Sequence, residues 1–474
     1  MAIKTLHLTN YWHERSGGIS TFYRHLMEAA VRQERRMVLV VPGAQDEVRE
    51  AGPGCRIYQV SAPPSPLNHE YRTIYPREFL LPGSKVQQIL AYERPDLVEI
   101  CDKYTLIHLA PILRLRMARE LDFRPTLTGL TCERMDENFA AYISSSRWGR
   151  QFSRFYMRHV YFPAFDHHIA VSENTAAELK AVANGHVSPR GVWMLPMGVD
   201  INHFSPERRS TESRRKLLQR LGGLRDTVLL LYVGRLAPEK NLELLIATVE
   251  KLGKTGQDFR MVIAGEGGAR QALERLAQEK VPGKIFFLGH VSDRQELADI
   301  YANCDLFVHP NPTEPFGIAP LEAMASGLSL VAPDRGGVTS YANSGNAYLA
   351  PPTAEAFADA ILTACEQGPT REAKVRAARK AAEGLSWPQV AASFLRLYEA
   401  IHELHMRKEQ LHLASPAFVS SRASSTRATV LNTVSKLAQK AFLAYQWGHC
   451  CVSDPMRRAR PNQLRTKLEE IQTR

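Results

Sequence analysis

Glu314 and Glu322 stand eight positions apart in the run EPFGIAPLEAMASG, separated by a Pro-Phe-Gly turn, a second proline and small apolar residues. The turn keeps Glu314 on a loop and predicts a helix from Ile318 to Ala325, with Pro320 tolerated in its first turn and Ser326-Gly327 ending it. Glu322 then lies inside that helix, one turn beyond Ile318 and on the same face. Unpaired N–H groups around Gly317 and Ile318 make the helix start an anion seat. Carboxylates repel phosphate but accept hydrogen bonds from sugar hydroxyls. A diphosphate carrying a sugar at each end suits all three features, and such a ligand is a nucleotide diphosphate sugar. The competing reading is a helix start with one acid near its dipole and one solvated acid.

Two cations favour the ligand. Arg235 and Lys240 lie five residues apart in RLAPEKN, directly after the apolar run LLLYVG. Phosphates dock on loops at the carboxyl ends of strands in open α/β sheets, and two positive charges there neutralise a departing diphosphate. The alternative is a pair of surface cations, which the place of Arg235 after a strand-ending glycine weakens. Gly17 and Gly18, in HERSGGISTFYRHL, fall between the first strand and its helix. Paired glycines let backbone N–H groups approach phosphate closely, although plain turns use them too.

The elements that must carry these residues alternate along the whole chain. IKTLHLT, RMVLVVPG, DLVEIC, PTLTGLT and HHIAVS read as strands in the first half, with helical stretches such as 19–32 and 105–120 between them. DTVLLLYVG, FRMVIAGEG, KIFFLGHV, DLFVHP, LSLVAPD and NAYLAPP repeat the scheme in the second half. Near-continuous apolar strands ending in Gly, Pro or Asp and alternating with helices indicate parallel sheets in doubly wound α/β domains. The polar segment MLPMGVDINHFSPERRSTESRRK marks a seam near residue 205. LSWPQVAASFLRLYEAIHELHMRK is a long amphipathic helix, and the Ser/Ala/Thr-dense stretch 411–430 reads as a linker.

A chain of 474 residues with 44% hydrophobic and 23% charged residues is long and apolar enough for two or three globular domains. No run of 18 apolar residues and no signal peptide is present, so a cytoplasmic location is expected. The seven cysteines form no Cys-x-x-Cys pair, which leaves a disulfide framework or zinc site without support. Of the net charge of +11, residues 401–474 carry twelve Lys/Arg against five Asp/Glu, or +7. A basic tail of this kind suits an anionic membrane surface, with Leu431, Val434, Leu437, Phe442 and Trp447 among its lysines; simple solubility is the plain alternative. Nucleic acid is the less expected partner, since no recognisable binding module is present.

VGRLAPEKN, AGEG, FLGHV and PNPTEPFGIAPLEAMASGLSLVA…GG follow one another in an order and spacing that resembles the family 4 glycosyltransferases. MGVDINHFSP is similar to that family's segment leading into the second domain, SGGISTF to its N-terminal glycine loop, and Glu314 with Glu322 to its Glu-x7-Glu motif. The resemblance is tightest from about 190 to 345, looser before it, and ends near 405. It implies the GT-B architecture: an α/β fold of two Rossmann-like doubly wound domains facing a cleft. The acceptor-side domain would span 1–205, the donor domain 206–385, a closing amphipathic helix 386–405 and the basic tail 406–474.

The resemblance also implies a retaining transfer of a hexose from a nucleotide diphosphate sugar to an acceptor hydroxyl on a lipid, a polysaccharide intermediate or a small sugar. Arg235 and Lys240 would hold the donor diphosphate, Glu314 the hydroxyls of the transferred sugar, and Glu322 the ribose hydroxyls. Gly17, Gly18 and backbone N–H groups of Phe316, Gly317 and Ile318 would complete the donor site. The chain has no Asp-x-Asp, so the expectation is a metal-independent enzyme without a cofactor. A nucleotide-sugar epimerase of the same architecture and a non-catalytic nucleotide-sugar-binding scaffold are the alternatives.

One stretch departs from the family pattern, and another concerns the acceptor or the membrane. Many members carry a histidine near the sugar, where LTGLTCERMDENF offers Cys132, Glu133 or Asp136 instead. SSSRWGRQFSRFYMRHVYF places Arg147, Arg150, Arg154 and Arg158 at helical spacing, with Trp148, Phe152, Phe155 and Tyr156 beside them. A basic-aromatic helix suits a lipid headgroup layer, and an ordinary packed amphipathic helix is the alternative. Peripheral attachment to the inner membrane face is the corresponding expectation for location.

Overall fold

Strands with apolar residues on both faces need cover on both sides, and here they build two sheets flanked by helices. The computed structural model describes residues 2–13, 17–65, 71–115, 121–142, 147–183 and 191–414. The first sheet holds β1 (Lys4–Thr9), β2 (Arg36–Gly43), β3 (Glu47–Gly52), β4 (Cys55–Ser61), β5 (Leu97–Cys101), β6 (Thr126–Thr131), β7 (His167–Ala170) and β8 (Val192–Met194). Their spatial order is β3-β4-β2-β1-β5-β6-β7-β8, parallel throughout except for the antiparallel β3–β4 pair. The second sheet holds β9 (Val228–Val233), β10 (Phe259–Ala264), β11 (Ile285–Gly289), β12 (Leu306–Val308), β13 (Ser329–Pro333) and β14 (Tyr348–Ala350), all parallel, in the order β11-β10-β9-β12-β13-β14.

Both orders reverse direction at their first strand. In the first sheet Leu6 of β1 pairs with Val38 of β2 on one side and Val98 of β5 on the other. In the second, Leu230 of β9 pairs with Met261 of β10 and Leu306 of β12. Crevices open at the carboxyl ends of strands at such reversals. The loops that leave β1, β9 and β12 carry Gly17-Gly18, Arg235 with Lys240, and Glu314 respectively. The topology therefore sends the candidate residues to the crevices.

The seam expected at 205 lies in the segment between β8 and β9. The expected closing helix runs longer than 386–405: it spans Trp387–Ala414, so the expected linker at 411 begins inside a helix. It returns to the first sheet's side and packs along the helix Gly18–Arg32, with Phe22 and Phe394 rings 4.8 Å apart. Tyr398 on this helix donates to buried Glu99 on β5, which also meets Tyr23 Oη at 2.8 Å and His7 Nδ1 at 2.9 Å. Of the tail expected over 406–474, residues 415–474, including Leu431 to Trp447, lie outside the described residues.

Candidate active site

The helix predicted from the Pro-Gly punctuation forms over Ile318–Ala325. Gly317 precedes it at φ 88°, a left-handed conformation that glycine adopts without a Cβ clash. Its carbonyl accepts from Tyr341 Oη, and Glu314 O accepts from Gly337 N at 2.6 Å. A Cβ at Gly337 would fall 2.0 Å from Pro315 O, so only glycine lets the loop after β13 close under the Glu314 loop. These contacts fix Glu314 at the mouth of the crevice.

Lys240 reaches Glu314 from the loop after β9. It ends the turn Pro238–Lys240, and the next residue, Asn241, is left-handed at φ 55°. Asn241 Nδ2 donates to Pro310 O at 3.1 Å, tying this turn to the loop after β12. Lys240 Nζ then lies 2.8 Å from Glu314 Oε2, and Asn311 Nδ2 donates to the same oxygen at 3.0 Å. Burial opposes ionisation of this carboxyl, yet the Lys240 ammonium overrides it and holds the pKa at about 2. His309, buried beside it, is pushed down to about 4 by burial and stays neutral at pH 7. Its Nε2 is 3.9 Å from Glu314 Oε2.

The other candidates are placed differently. Arg235 Nη2 pairs with Glu239 Oε1 at 2.7 Å, and its side chain is 46% exposed. The structure thus brings Lys240, but not Arg235, onto Glu314. Glu322 is half-buried and accepts from Tyr301 Oη at 2.9 Å; burial pushes its carboxyl up to about 7, only partly offset by that bond. Phe316 is buried, with its ring 5.1 Å from that of Tyr341. Gly17 caps the helix Gly18–Arg32. A Cβ at Gly18 would meet Ile318 Cδ1 at 2.9 Å, so the glycine loop of the first sheet faces the helix start of the second.

Several residues on loops and helices on the first sheet's side, which sequence reasoning missed, also line this junction. Ser172 Oγ donates to Pro315 O, and Asn174 Nδ2 to Glu314 O at 3.4 Å. Arg134 Nη1 donates to Asn174 Oδ1 at 3.1 Å and pairs with Asp136 at 2.7 Å and Glu137 at 3.1 Å. Glu137 lies on the helix Met135–Tyr142, which packs against the turn carrying Lys240. Burial pushes its carboxyl up to about 8, with Glu314 among the acids that add to the rise.

Of the three replacements for the family histidine, each has a partner inside the first sheet's side. Cys132 Sγ is 3.9 Å from Cys101 Sγ, Glu133 accepts from Tyr11 Oη at 2.6 Å and Asn138 Nδ2 at 2.7 Å, and Asp136 is held by Arg134. The basic-aromatic stretch forms the helix Arg147–Tyr156, but Tyr156 is not part of an outer face. It is buried, donating to Lys103 O at 2.8 Å, because it falls on the same stripe as buried Ser153. Among the described residues no helix is long and apolar enough to cross a membrane.

This geometry meets known proteins across nearly its whole described length. Residues 16–203 match the family described as Glycosyltransferase Family 4, and residues 214–381 that described as Glycosyl transferases group 1. A GDP-mannose-dependent alpha-(1-6)-phosphatidylinositol dimannoside mannosyltransferase of Mycobacterium tuberculosis is 30% identical over 396 residues, 83% of this chain and 95% of that one. The sulfoquinovosyl transferase SQD2 of Arabidopsis thaliana is 29% identical over 50% of this chain and 45% of its own. Sucrose-phosphate synthase from Thermosynechococcus elongatus shares the fold with a TM-score of 0.62 at 22% identity, covering 87% of this chain and 100% of that one. The Anabaena protein HepE, solved with UDP and glucose, does so with a TM-score of 0.61 at 19% identity, over 84% and 100%. With two sheets meeting at Gly18 and Ile318, and Lys240 on Glu314 in the crevice, the chain belongs to the family 4 glycosyltransferases of GT-B architecture.

Proposed function

We propose that the protein moves a hexose from a nucleotide diphosphate sugar to an acceptor hydroxyl with retention at the anomeric carbon and without a metal ion. The Lys240–Glu314 pair carries this reading: it sets a cation and an ionised acid side by side at a topological reversal. Lys240, joined by Arg235 once it leaves Glu239, balances the negative charge that grows on the departing diphosphate. Glu314 grips hydroxyls of the transferred sugar and Glu322 those of the ribose. Gly17, Gly18 and the N–H groups of Phe316 to Ile318 accommodate the phosphates. The bond from the anomeric carbon to the phosphate oxygen breaks while the bond to the acceptor oxygen forms on the same face. The acceptor proton passes to the leaving phosphate oxygen, so no protein base is needed at Cys132, Glu133 or Asp136.

GDP-mannose is the donor to test first, because it appears in the name of the relative matching 83% of this chain. Turnover of that donor in a chelator, with the anomeric configuration of the product read by proton NMR, tests the proposal. Retained activity and retained configuration are expected. Strict dependence on a divalent cation, or inversion, would reject it. The basic tail is proposed as an additional contact with an anionic membrane surface.

A further inference from the structure

His309 follows β12 directly, and its backbone N–H donates to Val331 O on β13 at 2.9 Å. The side chain is 5% exposed, and its Nε2 has no hydrogen-bond partner among the described residues. A buried polar atom without a partner is costly, and in a folded protein it calls for an explanation. Nε2 stands 3.9 Å from Glu314 Oε2, about 1 Å beyond a charge-assisted hydrogen bond. That oxygen already accepts from Lys240 Nζ at 2.8 Å and from Asn311 Nδ2 at 3.0 Å. The lysine is therefore the first partner of the carboxylate, and the histidine is next in line. Burial, the largest influence, and the Lys240 ammonium keep a proton off the ring, whereas Glu314 and the Asn311 backbone favour one.

We propose that His309 is the second partner of Glu314, taking a proton and closing onto Oε2 when a nucleoside diphosphate draws Lys240 to its phosphates. The place of the diphosphate rests on the transfer reading, but the exchange of partners needs no transfer. A single ammonium faces two anions once the donor is bound, and the diphosphate bears more negative charge than one carboxylate. As the lysine turns to it, the repulsion on the His309 ring falls and Glu314 loses its counter-ion. Both changes favour the imidazolium. The proton comes from solvent, and the N–H at Nε2 then donates to Oε2. The carboxylate stays ionised and aimed at the sugar while the lysine serves the leaving group. His309 thus acts through Glu314 and is a positioning residue. The other titratable groups that feel Glu314 cannot take this part. Tyr232 on β9 donates to Arg235 O at 3.3 Å, Tyr341 donates to Gly317 O, and Glu137 on the helix Met135–Tyr142 is itself an acid.

The test reads the ring by nitrogen NMR of the full chain with labelled histidine, the signal being assigned by its loss in His309→Gln. In ligand-free Lys240→Ala the ring should gain its proton at a pH about 1 or more above that in wild type. On binding GDP or UDP at pH 7, wild type should take up about one proton more than His309→Gln, measured as the dependence of binding enthalpy on buffer ionisation. Turnover of GDP-mannose separates positioning from packing. His309→Gln, whose amide N–H donates to Oε2 without a proton, should keep kcat within about threefold of wild type, while His309→Leu should lose about tenfold to 100-fold. Melting temperature and GDP affinity should be unchanged in both. Equal kcat in all three proteins, or an equal loss in both variants, overturns the positioning role. An unshifted ring in Lys240→Ala, or equal proton uptake by wild type and His309→Gln, overturns the exchange. Binding of neither nucleotide, or no transfer by wild type, sinks the transfer reading instead, and the ring titration in Lys240→Ala still decides whether His309 succeeds the lysine.

Discussion

Lys240 Nζ lies 2.8 Å from Glu314 Oε2, across two loops that leave neighbouring strands. The side chains are 19% and 14% exposed, so each is the other's main compensation for lost water. One cation thus keeps Glu314 ionised, and in the proposed transfer it also stands where the leaving diphosphate needs charge.

Removing that cation should therefore cost stability as well as function. Lys240→Ala leaves a mostly buried carboxylate without its partner, a change that destabilises by about 3 kcal/mol when one member of such a pair is lost. Lys240→Ala/Glu314→Ala should be less destabilised than Lys240→Ala alone, because the orphaned charge is gone. Urea unfolding of the four proteins in the cycle measures this. Strictly additive losses would show that the two groups do not interact.

Glu322 gives a pH dependence. Burial raises its carboxyl to about 7, so the free protein holds this proton into the neutral range. Ribose hydroxyls are better donors to the ionised form. Affinity for the nucleoside diphosphate should thus rise as pH increases through about 7 and level off above it. Stability runs the other way for this group: its contribution is complete below the usual carboxylate range and is lost as pH rises through the folded value. Calorimetric titration of GDP and UDP across this range should show the rise in wild type and a shallower curve in Glu322→Gln. Equal pH dependence in both proteins would remove Glu322 from the ribose contact.

The two glycine positions separate closure of the cleft from support of the loop. Gly18→Val would push on Ile318 Cδ1, the end of a flexible side chain, from across the cleft. It should slow transfer with little loss of melting temperature. Gly337→Ala drives a Cβ onto Pro315 O, a backbone atom. It should destabilise by about 1–3 kcal/mol, as overpacking does, and disturb Glu314 as well. Thermal melts and donor turnover of both variants decide the point; the reverse ranking in stability would contradict it.

Tyr398→Phe tests how the closing helix is fastened. The hydroxyl donates to Glu99, which Tyr23 and His7 also hold. Losing one bond to a buried acid should cost about 1–3 kcal/mol, while nucleotide affinity stays unchanged. An unchanged melting temperature would mean that the helix is held without this bond, by its apolar contacts and by the Arg35–Glu399 and Thr126–His402 contacts.

Much of this was legible in the sequence. RMVLVVPG and DTVLLLYVG read as buried strands because their apolar runs are continuous, and the turn before Ile318 announced the Glu322 helix through Pro and Gly. The strand β3, EVREAG, is polar with no buried residue at a sheet edge, and β8, VWM, is apolar but only three residues long, so neither offers a run long enough to read as a strand. Glu314 and Lys240 were legible as separate candidates after separate strands. Their direct pairing was not, since it depends on Asn241 tying one loop to the other. Ser172, Asn174 and Glu137 were invisible for a related reason: their role comes from facing the second sheet, and nothing local marks them. Tyr156 looked like a member of an outer aromatic face, but the helical phase puts it on the core stripe with Ser153.

The proposed transfer depends most directly on Glu314. Turnover of GDP-mannose by wild type and Glu314→Ala, measured alongside melting temperature and GDP affinity, isolates its role. Wild type should transfer mannose, and Glu314→Ala should lose turnover by about 100-fold or more, the scale of removing one charge-stabilising contact from a transition state. The variant should still fold and bind GDP. Turnover by Glu314→Ala at the wild-type rate would remove Glu314 from the proposed transfer.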